Sequence, residues 1–135
     1  MQRVVLDSDI IIDSTRLADK TLRKLLEFVA SKKIQLFLPS IVVAELMAGQ
    51  ETKVQVGINI LEDLFKQLQF IQLDYNLSKE VGFLLRDYRQ LKLGDAIVAA
   101  TALSLNAKLA TRNIKDFQGV KGLKFFKSGG YLSPK

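Results

Sequence analysis

Residues 1–13 read MQRVVLDSDIIID. An apolar run, Val4-Val5-Leu6, stops at Asp7-Ser8-Asp9 and resumes as Ile10-Ile11-Ile12 before Asp13. Residues apolar on both faces predict a short buried strand of a parallel sheet over 3–7. Asp is disfavoured inside strands and helices alike, so its presence here needs a cause. A helix starting near Ile10 and capped by Ser8 or Asp9 accounts for Asp9. It leaves Asp7 unexplained, at the carboxyl end of the strand, where open α/β sheets bind their ligands.

The rest of the chain alternates in the same way. Thr21 to Lys32 carries Leu22, Leu25, Leu26 and Val29 at helical spacing. Ile34 to Leu38 predicts a second strand, running through Pro39 into a helix over Ile41 to Ala48 capped by Ser40. Helices are expected at about Lys53 to Leu68 and Ser78 to Leu91, with a strand over Phe70 to Leu73 between them. Gly94-Asp95 opens AIVAATALSLNA, apolar nearly all round and therefore a buried helix. Leu109 to Thr111 and Leu123 to Phe126 supply two more strands. Strands alternating with helices predict an α/β fold with a central, mainly parallel sheet between helical layers. One domain is expected over residues 1–127, with 128–135 as a loose tail.

Composition narrows the chemistry. The 135 residues include neither Cys nor His, which excludes thiolate nucleophiles, Cys/His zinc sites, disulfides and imidazole acid–base catalysis. Carboxylates, hydroxyls, amines and a hard metal remain. No apolar run reaches the roughly 18 residues of a membrane span, and no basic-then-apolar leader opens the chain, so the cytoplasm is the expected compartment. The net charge of +6 is concentrated near the C-terminus: Lys108, Arg112, Lys115, Lys121, Lys124, Lys127 and Lys135 face Asp116 alone. A polyanionic partner suits that asymmetry, and so does a merely solvated surface.

Four acids stand out. Besides Asp7, Glu45 lies on SIVVAELMAG among Ile41, Val42 and Ala48, where a charge on an apolar stripe calls for a cation or a raised pKa, unless it snorkels or pairs with a Lys. Asp95 begins the buried Ala-rich helix, as a cap or as a carboxylate at the helix's positive end. Asp116 follows the fourth strand. Three or four converging oxygen ligands suit Mg²⁺ or Mn²⁺.

The segments LDSDIIID, SIVVAELMAG, LGDAIVAATAL and LATRNIKDF, in this order, resemble the four signature segments of PIN-domain ribonucleases, in particular the VapC-type toxins of toxin–antitoxin pairs. The resemblance spans residues 4–117. It implies a three-layer α/β/α fold and a metal-dependent endoribonuclease leaving a 5′-phosphate and a 3′-hydroxyl. By position it implies metal-binding roles for Asp7, Glu45 and Asp95, with Ser8 where a Thr or Ser usually follows the first Asp. Thr111 matches the family's Thr; Asn113 or Asp116 supplies the fourth group. Asp9 stands where the family more often has Asn or Ser, and could add a ligand or cap the helix. The resemblance also implies a homodimer and a small antitoxin that inhibits the site and binds operator DNA.

Two rivals are worth stating. VVLDSD also resembles the first motif of haloacid dehalogenase-type phosphatases, but Ile11 replaces the usual Thr or Val and the later Asp pair is missing. A nucleic-acid-binding module that has lost its metal site is the other. For RNA contact, Arg112, Lys115, Lys121, Lys124 and Lys127 are the candidates.

Overall fold

The computed structural model describes residues 1–16 and 19–127; the tail expected over 128–135 lies outside the described residues. Five parallel strands, β1 (Gln2–Leu6), β2 (Ile34–Pro39), β3 (Gln69–Ile71), β4 (Lys108–Ala110) and β5 (Lys124–Phe125), form one sheet in the order β3-β2-β1-β4-β5. β1 lies at the centre, Val4 beside Leu36 on one side and Lys108 on the other. Covered on both faces, Val4, Val5 and Leu6 are wholly buried, which is why the run is apolar without alternation.

The connections run through α1 (Ser8–Arg16), α2 (Thr21–Ala30), α3 (Ser40–Met47), α4 (Gln55–Phe65), α5 (Tyr75–Asp87) and α6 (Leu93–Ser104). From β1 the chain steps outward to β2 and β3, then crosses back to β4 on the other side of β1. Right-handed crossovers place the helices of these two directions on opposite faces. Accordingly α2 packs on β2, and α6 packs across β1, β2 and β4. The fold is the expected three-layer α/β/α arrangement. Residues Ala96 to Ala102 of α6 are all buried, so the small side chains let this helix lie close to the sheet.

The reversal of direction at β1 opens a crevice between the carboxyl ends of β1 and β4, the place where such sheets bind ligands. Asp7 is the first residue beyond β1 and stays tied to β4 through its amide, which donates to the Ala110 carbonyl (3.1 Å).

Several boundaries differ from expectation for physical reasons. α1 follows β1 directly, starting at Ser8. Ser40 makes no capping bond; Pro39 occupies the cap position of α3. The helix expected from Lys53 is a 3₁₀ turn, Gln50–Lys53, followed by α4. The Glu51 carbonyl packs so closely on Gly57 that an added Cβ would lie 1.8 Å from it. α5 begins three residues early because Asp74 caps it, accepting from the Leu77 amide (2.8 Å). Among the described residues no helix is long and apolar enough to cross a membrane.

Candidate active site

Asp7 is buried, with 8% of its surface exposed. Its Oδ1 accepts from the Ser8 amide (2.8 Å) and its Oδ2 from the Thr111 hydroxyl (2.9 Å). Burial above all, then the charge of Asp9 and to a lesser extent that of Glu45, push the Asp7 carboxyl up to about 7 against those hydrogen bonds. Such an acid is costly to ionise in the absence of a cation.

Asp9, on the first turn of α1, turns toward the segment after β4 rather than acting as a cap. Its Oδ2 accepts from the Thr111 hydroxyl (3.1 Å), the Arg112 amide (3.1 Å) and the Asn113 side-chain amide (3.0 Å). Its Oδ1 is buried without a hydrogen-bond partner. Burial, with some help from Asp13, raises its carboxyl as well. Thr111 therefore stands between two carboxylates with a single proton to donate, while accepting from the Asn113 backbone amide (3.1 Å).

A second acidic arm lies at the start of α6. Asp95, half-buried in the first turn, has its carboxyl raised by burial first and by the charge of Asp116 second. Asp116 is exposed on the 3₁₀ turn Ile114–Phe117. The two candidates for the fourth group thus separate: Asn113 is engaged with Asp9, whereas Asp116 bears on Asp95. Glu45 corrects the expectation of a buried charge, because this part of α3 faces outward and the side chain is exposed. It still borders the crevice, its Oε2 lying 3.0 Å from where a Cβ on Gly94 would stand.

As the side chains lie, no three carboxylates among the described residues close around a common point at metal-ligating distance. The donor chemistry nonetheless fits a hard divalent cation: every acid here offers oxygen, Asp9 Oδ1 is buried and unpartnered, and burial together with neighbouring acids disfavours the charged forms of Asp7 and Asp95, which a bound cation would favour.

Arg112 corrects another expectation. Named above among the RNA contacts, it points inward with its side chain only 15% exposed. Its Nε lies 2.9 Å from Asp13 Oδ2, outside hydrogen-bond alignment. Its Nη2 pairs with Asp19 and donates to the Thr21 hydroxyl (2.9 Å). Sequence reasoning missed Asp19 and Thr21; the available signal was Asp9 and Asp13 four apart on one helix face. Lys115, Lys121, Lys124 and Lys127 are exposed as expected, and Lys115 shares its 3₁₀ turn with Asp116.

The family model of the PIN domain matches residues 4–123. The chain belongs to the PIN-domain family. The phosphatase alternative falls with that match. Among solved structures, this PIN domain is similar to VapBC2 from Rickettsia felis bound to a promoter DNA fragment, at 24% identity, 93% coverage of this chain and 98% of that one, and a TM-score of 0.79. It is also similar to a toxin–antitoxin complex from Klebsiella pneumoniae, at 26% identity, with 89% and 94% covered and a TM-score of 0.70. VapBC-1 from nontypeable Haemophilus influenzae is 23% identical over 93% and 98% of the two chains, with a TM-score of 0.74. No curated protein matches the chain.

Proposed function

We propose that this PIN domain is a Mg²⁺- or Mn²⁺-dependent endoribonuclease, the VapC-type toxin of a toxin–antitoxin pair, acting in the cytoplasm. The observation that carries the reading is the buried Asp7 at the sheet's switch point, its carboxyl driven up to about 7 by burial and by neighbouring Asp9 and Glu45. A divalent cation relieves that arrangement. Asp7, Asp95 and Glu45 would hold it, with Asp116 as a further catalytic carboxylate. When bound, such a cation lowers the pKa of a water and offsets charge on a phosphate.

The chain's own groups do the rest. The Ser8 amide and Thr111 hydroxyl engage one oxygen each of Asp7, so the carboxylate is oriented before substrate arrives. Asp95 sits in the first turn of α6, where the helix dipole favours its negative form. Lys115, beside Asp116, and the exposed Lys121, Lys124 and Lys127 hold RNA phosphates without reading sequence. Water adds to phosphorus and the P–O3′ bond breaks, leaving a 5′-phosphate and a 3′-hydroxyl. The likeness to toxin–antitoxin complexes, one of them on promoter DNA, supports an antitoxin partner and, through it, operator DNA; a homodimer belongs to the same proposal.

Sequencing of RNA 5′ ends after a brief expression pulse tests the activity, with Asp7→Asn as the control. In vitro, EDTA should stop cleavage, Mg²⁺ or Mn²⁺ should restore it, and Ca²⁺, larger and less regular in its coordination, should restore it poorly. Full cleavage in EDTA removes the metal from the mechanism. No Asp7-dependent ends would leave a non-catalytic nucleic-acid-binding module.

A further inference from the structure

Asp9 and Asp13 stand four residues apart on α1, on one face of the helix, and both meet the same residue. Arg112 donates its backbone amide to Asp9 Oδ2 (3.1 Å) and sets its guanidinium against Asp13 (2.9 Å), Asp19 and the Thr21 hydroxyl (2.9 Å). Arg112, two residues beyond β4, thus grips the start of α1, its middle and the entry to α2. A phosphate contact keeps its donors free in solvent, whereas this side chain is 15% exposed and committed to two carboxylates. Fold maintenance alone does not call for such a network, since apolar packing commonly replaces buried ion pairs without loss. What the bracket fixes is the gap between α1 and residues 111–113. In that gap the Thr111 hydroxyl stands between Asp7 and Asp9.

We propose that Arg112, with Asp13 and Asp19, forms a positioning network that holds residues 111–113 against α1 and so sets the orientation of Asp7 and Asp9. The inference rests on the nuclease reading of the crevice, and in it Arg112 makes no contact with RNA. Lys cannot reproduce the planar fork that meets several oxygens at once, so Arg112→Lys keeps the charge and loses the bracket. Asp13→Asn loosens it from the other side.

Three measurements on the full chain test the network. Against the RNA that the wild type cuts, each variant should lower kcat about ten-fold or more with KM and salt dependence unchanged, as misplaced but intact catalytic groups do. Calorimetric titration with Mn²⁺ alone should show affinity weakened several-fold. Hydrogen exchange should quicken at the Arg112 and Asn113 amides, which donate to Asp9 and Thr111, while Val4–Leu6 and Ala96–Ala102 stay protected. The double variant should be little worse than either single one.

A raised KM and a flatter salt dependence at unchanged kcat would make Arg112 a phosphate contact and overturn the proposal. So would unchanged exchange at residues 112 and 113, or protection lost equally through the core, which would reduce the network to general stability. Should the wild type cut no RNA, the nuclease reading falls, and the exchange rates and Mn²⁺ affinities then uphold or overturn the network on their own.

Discussion

Burial holds Asp7 in place, and the same burial opposes the charge that the proposed cation site would need. The folded-state pKa of Asp7, about 7, lies above the ordinary 3.8. Between those values the native metal-free protein keeps a proton that the unfolded chain has released, so stability falls as pH rises through this window. Above about pH 7 the cost is fully present; below about pH 4 it is gone. In EDTA, Asp7→Asn should therefore raise the melting temperature at pH 8, by about 4 °C or more, and the gain should vanish by pH 4. A gain of the same size at every pH would show that ionisation of Asp7 is not its source. The same variant should be inactive while remaining folded, which separates the chemical role of this carboxylate from its cost to the fold.

Helix α4 and helix α5 make opposite predictions for one substitution. Gly→Ala ordinarily stabilises a helix interior by about 1 kcal/mol. Gly82, on α5, has nothing within 4 Å of an added Cβ, so Gly82→Ala should stabilise by about 0.5–1 kcal/mol. At Gly57, on α4, the Cβ would overlap the Glu51 backbone carbonyl, and Gly57→Ala should destabilise by about 1–3 kcal/mol. Chemical denaturation of both variants checks the pair, and equal signs would refute the packing of Gln50–Lys53 on α4. This contact also shows why some of the fold was legible in the sequence and some was not. β1, β2 and α6 could be read because burial on both faces leaves an unbroken apolar pattern. The break between Lys53 and Gln55 leaves no such pattern; it accompanies the close approach of the Glu51 carbonyl to Gly57, whereas the start of α5 is signalled in the sequence by Asp74. For the crevice, Asp7, Thr111 and Asp95 were found where strands end and helices begin. The outward turn of Glu45 and the inward turn of Arg112 depend on neighbours distant in sequence.

Four of the C-terminal lysines, Lys115, Lys121, Lys124 and Lys127, lie on the molecule's outer surface. Lys121, Lys124 and Lys127 are exposed on and around the edge strand β5. Changing two of them to Gln should weaken binding of unrelated RNAs alike and reduce the salt dependence by a slope of about 0.7 per lost phosphate contact. The cut position should not move. Wild-type affinity at every salt concentration, with loss of antitoxin binding instead, would reassign the segment to protein docking. The strand order also fixes when, during synthesis, the crevice can form. β1 takes as its neighbour a strand encoded about a hundred residues later, and the Asp7 amide bonds to Ala110 of that strand. A nascent chain that has already delivered Asp7 and Glu45 still lacks Asp95 and Thr111, and its first strand has one open side. Translation can therefore stall or abort over most of the message without yielding an assembled crevice. The crevice is complete only after β4 has emerged and docked, so under the toxin–antitoxin reading proposed here an antitoxin would meet folded molecules rather than unfinished ones.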